Sequence, residues 1–201
     1  MEKNINGYTY TNRLRSDDYS KAKVKSLIED FYNNAYDLDV ISKDQLILST
    51  YSMIKKSNET EAEKSKQSKG KDSTNNDQKY GIYVYQGTKL VGLAIYHVSI
   101  TFNDTIAIDL IDFDPEIRKS FVNKDLDDKG PSEILTNIIK ILSNIAVKNN
   151  KSKIILSLSN KVLCLESRFK QLGFEGDANE YKGNIYSKRL VDNNNGWNSN
   201  N

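Results

Sequence analysis

Two aspartates three residues apart in TIAIDLIDFDP, 105–115, are the first candidates for chemistry, since Asp109 and Asp112 both stand on a run rich in β-branched and apolar residues. Side chains on a strand alternate between faces, so this spacing predicts opposite faces and at most one carboxylate in a given cleft. Partial burial raises a carboxylate's hold on a proton and suits it to proton exchange. The plainer reading for each is a solvated carboxylate paired with a lysine on the neighbouring strand. His97, the only histidine, lies in IYHVSI; a lone imidazole on a strand reads first as a packed or surface residue rather than a catalyst. Cys164, the only cysteine, sits beside apolar helical positions and reads as buried and inert. A single cysteine also excludes an internal disulfide framework and a zinc knuckle, fits a reducing compartment, and leaves no metal site to propose.

The elements that must position these residues belong to a chain of 201 residues, a length that suits one core better than two. Hydrophobic residues make up 37% and charged ones 28%, with a mean hydropathy of −0.65, so part of the chain is expected to lie outside any core. The net charge of +2 supplies no broad field for a phosphate backbone, and nucleic acid is not expected as a partner. The twelve tyrosines fall mainly in strand-like segments, where they serve packing rather than base stacking. No apolar run approaches the roughly 20 residues that span a bilayer, and MEKNINGYTYTNRLR has no signal-peptide core. The expectation is a cytoplasmic protein with no membrane contact.

From Lys55 to Lys79 the sequence contains no Val, Ile, Leu, Phe or Tyr and cannot bury enough apolar surface to offset the entropy of ordering. Residues 55–79 are expected to form a disordered internal loop within a single domain, 1–191, and the Asn-rich 192–201 a disordered tail. The rest alternates. YTYTNRL, 8–14, reads as a first strand; Asp17 or Asp18 caps a helix carrying Val24, Leu27, Ile28, Phe31, Tyr32 and Ala35 on one face. A second helix starts at the capping box Ser42-Lys43-Asp44-Gln45 and turns Leu46, Ile47, Tyr51 and Ile54 inward. KYGIYVYQGTKLVGLAIYHVSI, 79–100, is a hairpin about Gln86-Gly87-Thr88. TIAIDLIDF, 105–113, completes an antiparallel meander that stops before Pro115.

A helix begins at Gly130-Pro131-Ser132, with proline in the first turn where an amide donor is not needed. Its apolar side carries Ile134, Leu135, Ile138, Ile139, Leu142, Ile145 and Ala146. KIILSLSN, 153–160, is a short buried strand. The helix after it, with Val162, Leu165, Phe169 and Leu172 inward, ends at Gly173 in the left-handed position that glycine fills best. EYKGNIYSKRLV, 180–191, supplies one or two final strands.

This order, with SDDYSKAKVKSLI, GTKLVGLA, DPEIR, Asn160 and FKQLGF in sequence, resembles the GNAT family of acyl-CoA-dependent N-acetyltransferases over most of 8–191. The resemblance implies an α/β (α+β) fold, a mixed and largely antiparallel central sheet with helices on both faces. It also implies acetyl-CoA as acyl donor, with the pantetheine lying where the strand 105–113 splays away from 153–160. Phe113 and its neighbours then hold that arm through main chain, and Asp109 and Asp112 become the candidate bases. Asp109 stands nearer the family's catalytic glutamate, and Asp112 nearer the strand end where the cleft opens.

For the diphosphate the resemblance points to the helix start at Gly130 and Ser132 with Lys129 beside it, a site of free amides and positive dipole. The family's pattern of Arg or Gln, two residues, Gly, one residue, Gly or Ala is altered. Arg118 falls where the arginine belongs, but KSFVNKDLDDK follows it without the glycines; registered on Gly130, the leading position is Asp127. An insertion between Arg118 and Gly130 explains both registers. Asn160 matches a family position at the strand end, where a helix N-cap explains it equally. Phe169, on the helix that flanks the cofactor cleft, occupies the place at which many members carry a general-acid tyrosine, and a phenyl ring cannot donate a proton.

Two functions follow from the resemblance. One is acetyl transfer from acetyl-CoA to a primary amine by direct attack on the thioester, with nearby carboxylates favouring a cationic acceptor. The other is a catalytically degenerate protein of the same fold that serves as a binding or regulatory module. Many family members pair through their last strands, so IYSKRLV is also a candidate homodimer edge, one that Lys188 and Arg189 could equally protect.

Overall fold

The structure, a computed structural model, describes residues 1–15, 40–59, 78–99, 104–114, 117, 130–158, 166–176 and 184–190. The helix expected between Asp17 and Ala35, and Cys164, lie outside the described residues.

The chain opens with a hairpin of β1 (Glu2–Ile5) and β2 (Tyr8–Thr11). Asn6 and Gly7 close it at φ 51° and 82°, the left-handed pair that matches a two-residue turn to the strand twist. The expected first strand is thus the second arm of a hairpin, and it ends at Thr11 rather than Leu14. Beyond it Leu14 turns its amide to Asn58 Oδ1 at 2.8 Å.

Helix α1 (Val40–Asn58) starts two residues ahead of the expected cap at Ser42 and runs four residues into the stretch expected to be disordered from Lys55. The reason is a polar contact distant in sequence. Ser57 is buried, its hydroxyl 2.6 Å from the Tyr83 hydroxyl, and Asn58 Nδ2 donates to the same hydroxyl at 2.7 Å. A buried polar group satisfied in this way no longer opposes helix formation. At the far end of the expected loop, Lys79 already belongs to a strand, and residues 60–77 lie outside the described residues.

Strands β3 (Lys79–Gln86), β4 (Lys89–Val98) and β5 (Thr105–Phe113) form the expected meander. Helix α2 (Gly130–Lys148) then leads to β6 (Lys153–Leu158), which pairs parallel to β5. Short helix α3 (Glu166–Gln171), the two-residue β7 (Glu175–Gly176) and β8 (Asn184–Arg189) complete a sheet ordered β1-β2-β3-β4-β5-β6-β8-β7. All pairings but β5 with β6 are antiparallel. β7 pairs with β8 at Tyr186 and Ser187, in the segment considered for a dimer edge.

Alternation along the strands builds one core on each face. On one, Ile134, Ile138 and Leu142 of α2 pack on Tyr10, Ile82, Val84, Ala94 and Ile106; each of the buried Ile, Leu and Val side chains contributes about 1.5–3 kcal/mol. On the other, Ile54 of α1 packs with Leu14, Tyr83, Tyr85, Leu93 and Ile95. The fold is therefore the expected mixed, largely antiparallel sheet with helices on both faces. Among the described residues no helix is long and apolar enough to cross a membrane.

At the end of α3 the stretch SRFKQLGFE folds as its residues dictate. Gly173 takes φ 83°, its amide bonds to Lys170 O at 3.0 Å, and the Phe174 amide bonds to Phe169 O at 3.0 Å. These are the two hydrogen bonds of a Schellman cap, and its apolar contact is the edge-to-face pair of Phe169 and Phe174 at 5.4 Å.

Candidate functional site

Parallel pairing makes α2 a crossover that begins at the end of the sheet where β5 finishes, and in open α/β sheets ligands collect outside those carboxyl ends. At that end β5 changes neighbours. Thr105, Ile106, Ala107 and Ile108 pair with Lys153, Ile154, Ile155 and Leu156 of β6, and the described pairing stops there. Beyond it β6 continues against β8 through Leu158, while β5 continues against β4 alone among the described residues.

The parting coincides with a β-bulge. Ile95 pairs with Leu110, but the next residue, Tyr96, pairs with Ile108, leaving Asp109 as the extra residue of β5. A bulge bends a strand and re-aims the side chain it inserts. It also changes the parity on which the expected opposite placement of the two aspartates rests. Asp112 is paired with Leu93 and so shares the α1 face with it, and Asp109 reaches Lys79 and His97, cross-strand partners two residues along from Gly81 and Ile95. The two carboxylates therefore lie on the same face, a correction whose cause is the single inserted residue.

Asp109 Oδ2 lies 2.9 Å from Lys79 Nζ and 2.9 Å from His97 Nδ1, and the two nitrogens are 3.2 Å apart. The three side chains are between 13% and 19% exposed, so the charges interact through a medium less screening than bulk water. The plain lysine-paired reading of Asp109 is thus part of the geometry, with the imidazole added to it. His97, read from sequence as a packed or surface residue, is 13% exposed and joins this cluster. Its partners stand 18 and 12 residues away and meet it only through sheet register.

Asp112 is buried, and its Oδ1 accepts the Phe113 amide at 2.8 Å. The Asp114 amide bonds to Val91 O on β4 at 2.9 Å. Antiparallel alternation consequently turns the amides of Ile111 and Phe113 the other way, toward the side that β6 has left. Phe113 itself is core: its ring is buried on the α2 face, close enough to Gly92 that a Cβ there would stand 3.0 Å from Phe113 Cδ1. What Phe113 presents to the gap is main chain.

The remaining sequence candidates divide. Gly130 and Ser132 lie in the first turn of α2, of which the backbone alone is described. Glu133 in the same turn accepts a hydrogen bond from Asn6 Nδ2 at the tip of the β1–β2 turn. Arg118, Lys129 and Asn160 lie outside the described residues. Phe169 has no exposed surface and packs on Phe174; its side chain is a core element and is removed from the candidates for cofactor contact.

No protein-family model matches the chain, and no curated protein matches it in sequence. Solved structures do match. A PaiA N-acetyltransferase from Thermoplasma acidophilum, solved in complex with coenzyme A, is 14% identical with a TM-score of 0.58, covering 91% of this chain and 99% of that one. A putative acetyltransferase of the GNAT family from Desulfovibrio desulfuricans is 8% identical with a TM-score of 0.57, covering 91% and 98%. An acetyltransferase from Streptococcus agalactiae is 14% identical with a TM-score of 0.55, covering 92% and 100%. At these identities the likeness is one of fold, and the fold is that of the GNAT acetyltransferases.

Proposed function

We propose that this GNAT-fold chain is an acetyl-CoA-dependent N-acetyltransferase that acetylates a primary amine. The observation that carries the reading is the parting of β5 from β6 after Ile108, at the bulge that sets Asp109 beside His97 and Lys79. A pantetheine arm is itself a chain of amides, and the outward main chain of Ile111 and Phe113 fits it. The start of α2, at the same end of the sheet, offers helix-terminal amides to a diphosphate. Lys129 and Arg118 are proposed to add charge there, with Gly130 and Ser132 in the turn and Asn160 at the opposite strand end.

The reaction needs few protein groups. The amine nitrogen attacks the thioester carbonyl carbon, a C–N bond forms, the C–S bond breaks, and the proton lost by nitrogen ends on the coenzyme A sulfur. The outward amide of Ile111 can stabilise the oxyanion of the tetrahedral intermediate. The Asp109 and His97 pair receives the proton on its way. Asp112, turned to the Phe113 amide, is not assigned that role. Carboxylates on this face favour a cationic acceptor.

One observation favours the second reading, a non-catalytic module. The Asp112 carboxylate occupies a main-chain donor that a thioester or pantetheine would need. A thermal-shift titration separates the two. Acetyl-CoA at about a hundred times its dissociation constant adds about 2.7 kcal/mol and raises the melting temperature by roughly 5–11 °C, with ATP as the control. A shift specific to coenzyme A compounds followed by amine-dependent thiol release supports the enzyme. The absence of any shift at millimolar acetyl-CoA supports the module.

A further inference from the structure

Lys79 Nζ is a primary amine of this chain that already rests on the carboxylate where the strands part. It crosses from β3 over its pairing partner His97 on β4 to Asp109 on β5, where Nζ and Oδ2 are 2.9 Å apart. Asp109 follows Ile108, the last residue of β5 to pair with β6 among the described residues. An ammonium donates to a carboxylate whichever nitrogen of the neighbouring ring carries hydrogen, so this contact holds in either tautomer of His97. A second lysine lies on an aspartate just past the end of the same strand, Lys89 on Asp114 at 2.8 Å. The two differ in their surroundings, since the Lys89 side chain is 58% exposed and that of Lys79 18%. Reaction with a reagent in bulk water favours the exposed amine, whereas a thioester delivered into the parting favours the enclosed one.

We infer that Lys79 Nζ is a modification site, acetylated by the chain itself when acetyl-CoA is bound and no amine acceptor is present. The inference rests on the acyl-transfer reading and deepens it, since it makes a primary amine of the chain itself an acceptor at that site. A nucleophile held beside a proton-accepting group reacts within one molecule and needs no encounter with a second. Of the three protons on the ammonium, one passes to Asp109 Oδ2 and on to water, which frees the nitrogen lone pair. The nitrogen attacks the thioester carbonyl carbon, a C–N bond forms and the C–S bond breaks. Another proton ends on the departing sulfur, and the last stays on the new amide. Acetylation removes the charge, so the modified side chain no longer forms an ion pair with Asp109.

Incubating the full chain with acetyl-CoA alone, with acetylated lysines mapped by peptide mass over time, tests this. Acetylation of Lys79 is expected ahead of Lys89, at a rate per molecule that does not change when the protein is diluted. Acetic anhydride, which needs no binding site, is expected to reverse the order. Asp109→Asn is expected to slow acetylation of Lys79 about 10²–10⁴-fold while keeping the wild-type melting shift with acetyl-CoA. Lys79→Arg, which keeps the positive charge, is expected to lose the leading site and keep the same shift. A wild type that shows the melting shift but acetylates Lys89 first, or acetylates Lys79 at a rate that falls in proportion to dilution, overturns the inference and leaves acyl transfer standing. An Asp109→Asn rate equal to that of the wild type does the same. A wild type that shows no melting shift with acetyl-CoA overturns the acyl-transfer reading, and the inference with it.

Discussion

Strand β5 has two halves with different surroundings. Thr105 to Ile108 is hydrogen-bonded on both sides, to β4 and β6, and its Ile106 and Ile108 are buried in the α2-side core. Asp109 to Phe113 keeps β4 alone as its described neighbour, and its side chains include two carboxylates on the α1 face. One inserted residue separates the halves. The bulge ends the pairing with β6, bends the strand, and turns onto one face two aspartates that regular alternation would place on opposite ones. On the proposed reading the closed half gives stability, and the open half offers main-chain and charged groups to a ligand.

Substitutions in the two halves should therefore fail in different ways. The largest effect is expected from Asp109→Ala, with acetyl transfer reduced about 10²–10⁴-fold and a melting temperature changed by only a few degrees, checked by thiol release beside calorimetry. Ile106→Ala in the closed half should do the reverse. Removing a fully buried side chain is expected to cost about 2–5 kcal/mol in denaturant unfolding, with turnover per folded molecule unchanged. Similar losses of turnover from both substitutions would erase the distinction.

The closed half also has a pH signature. Tyr96, the partner of Ile108, has its phenol pushed up to about 12 by burial first and by the nearby Tyr80 second; the two rings stack at 5.5 Å. Its folded value lies above its unfolded value of 10.0. The stability it contributes is therefore fully present below pH 10.0 and is lost as pH rises toward about 12. That loss is expected to amount to roughly 2–3 kcal/mol in denaturant melts across this window, and Tyr96→Phe should flatten it. The smallest effect concerns the open half. Asp112→Ala releases the Phe113 amide and is expected to tighten acetyl-CoA binding about fivefold by calorimetry, the worth of about one hydrogen bond. Weaker binding would make Asp112 part of the cofactor site rather than a competitor for it.

Much of the frame was legible in the sequence because it rests on local signals. The apolar periodicity of α2, the turn at Gly87, the left-handed cap at Gly173 and the strand-rich meander each sit within a few residues of their cause. The hairpin arm β1 had a local signal too, Asn6-Gly7, but the polar EKNI before it gives no alternation to mark a strand. The rest depended on partners far along the chain. Ser57 and Asn58 extend α1 because the Tyr83 hydroxyl meets them. The bulge at Asp109 exists only as a mismatch between two strands, so no count along one of them reveals it. His97 gains its meaning from Lys79 and Asp109, which sheet register brings to it.

Hydrogen exchange resolved at single amides, with and without acetyl-CoA, tests most directly whether the open half of β5 is the cofactor edge. The expected result is new protection of the Ile111 amide on adding acetyl-CoA, with Phe113, already bonded to Asp112, and Ile106 and Ile108, already paired on both sides, unchanged. Protection appearing elsewhere in the chain while Ile111 exchanges as before would contradict that assignment.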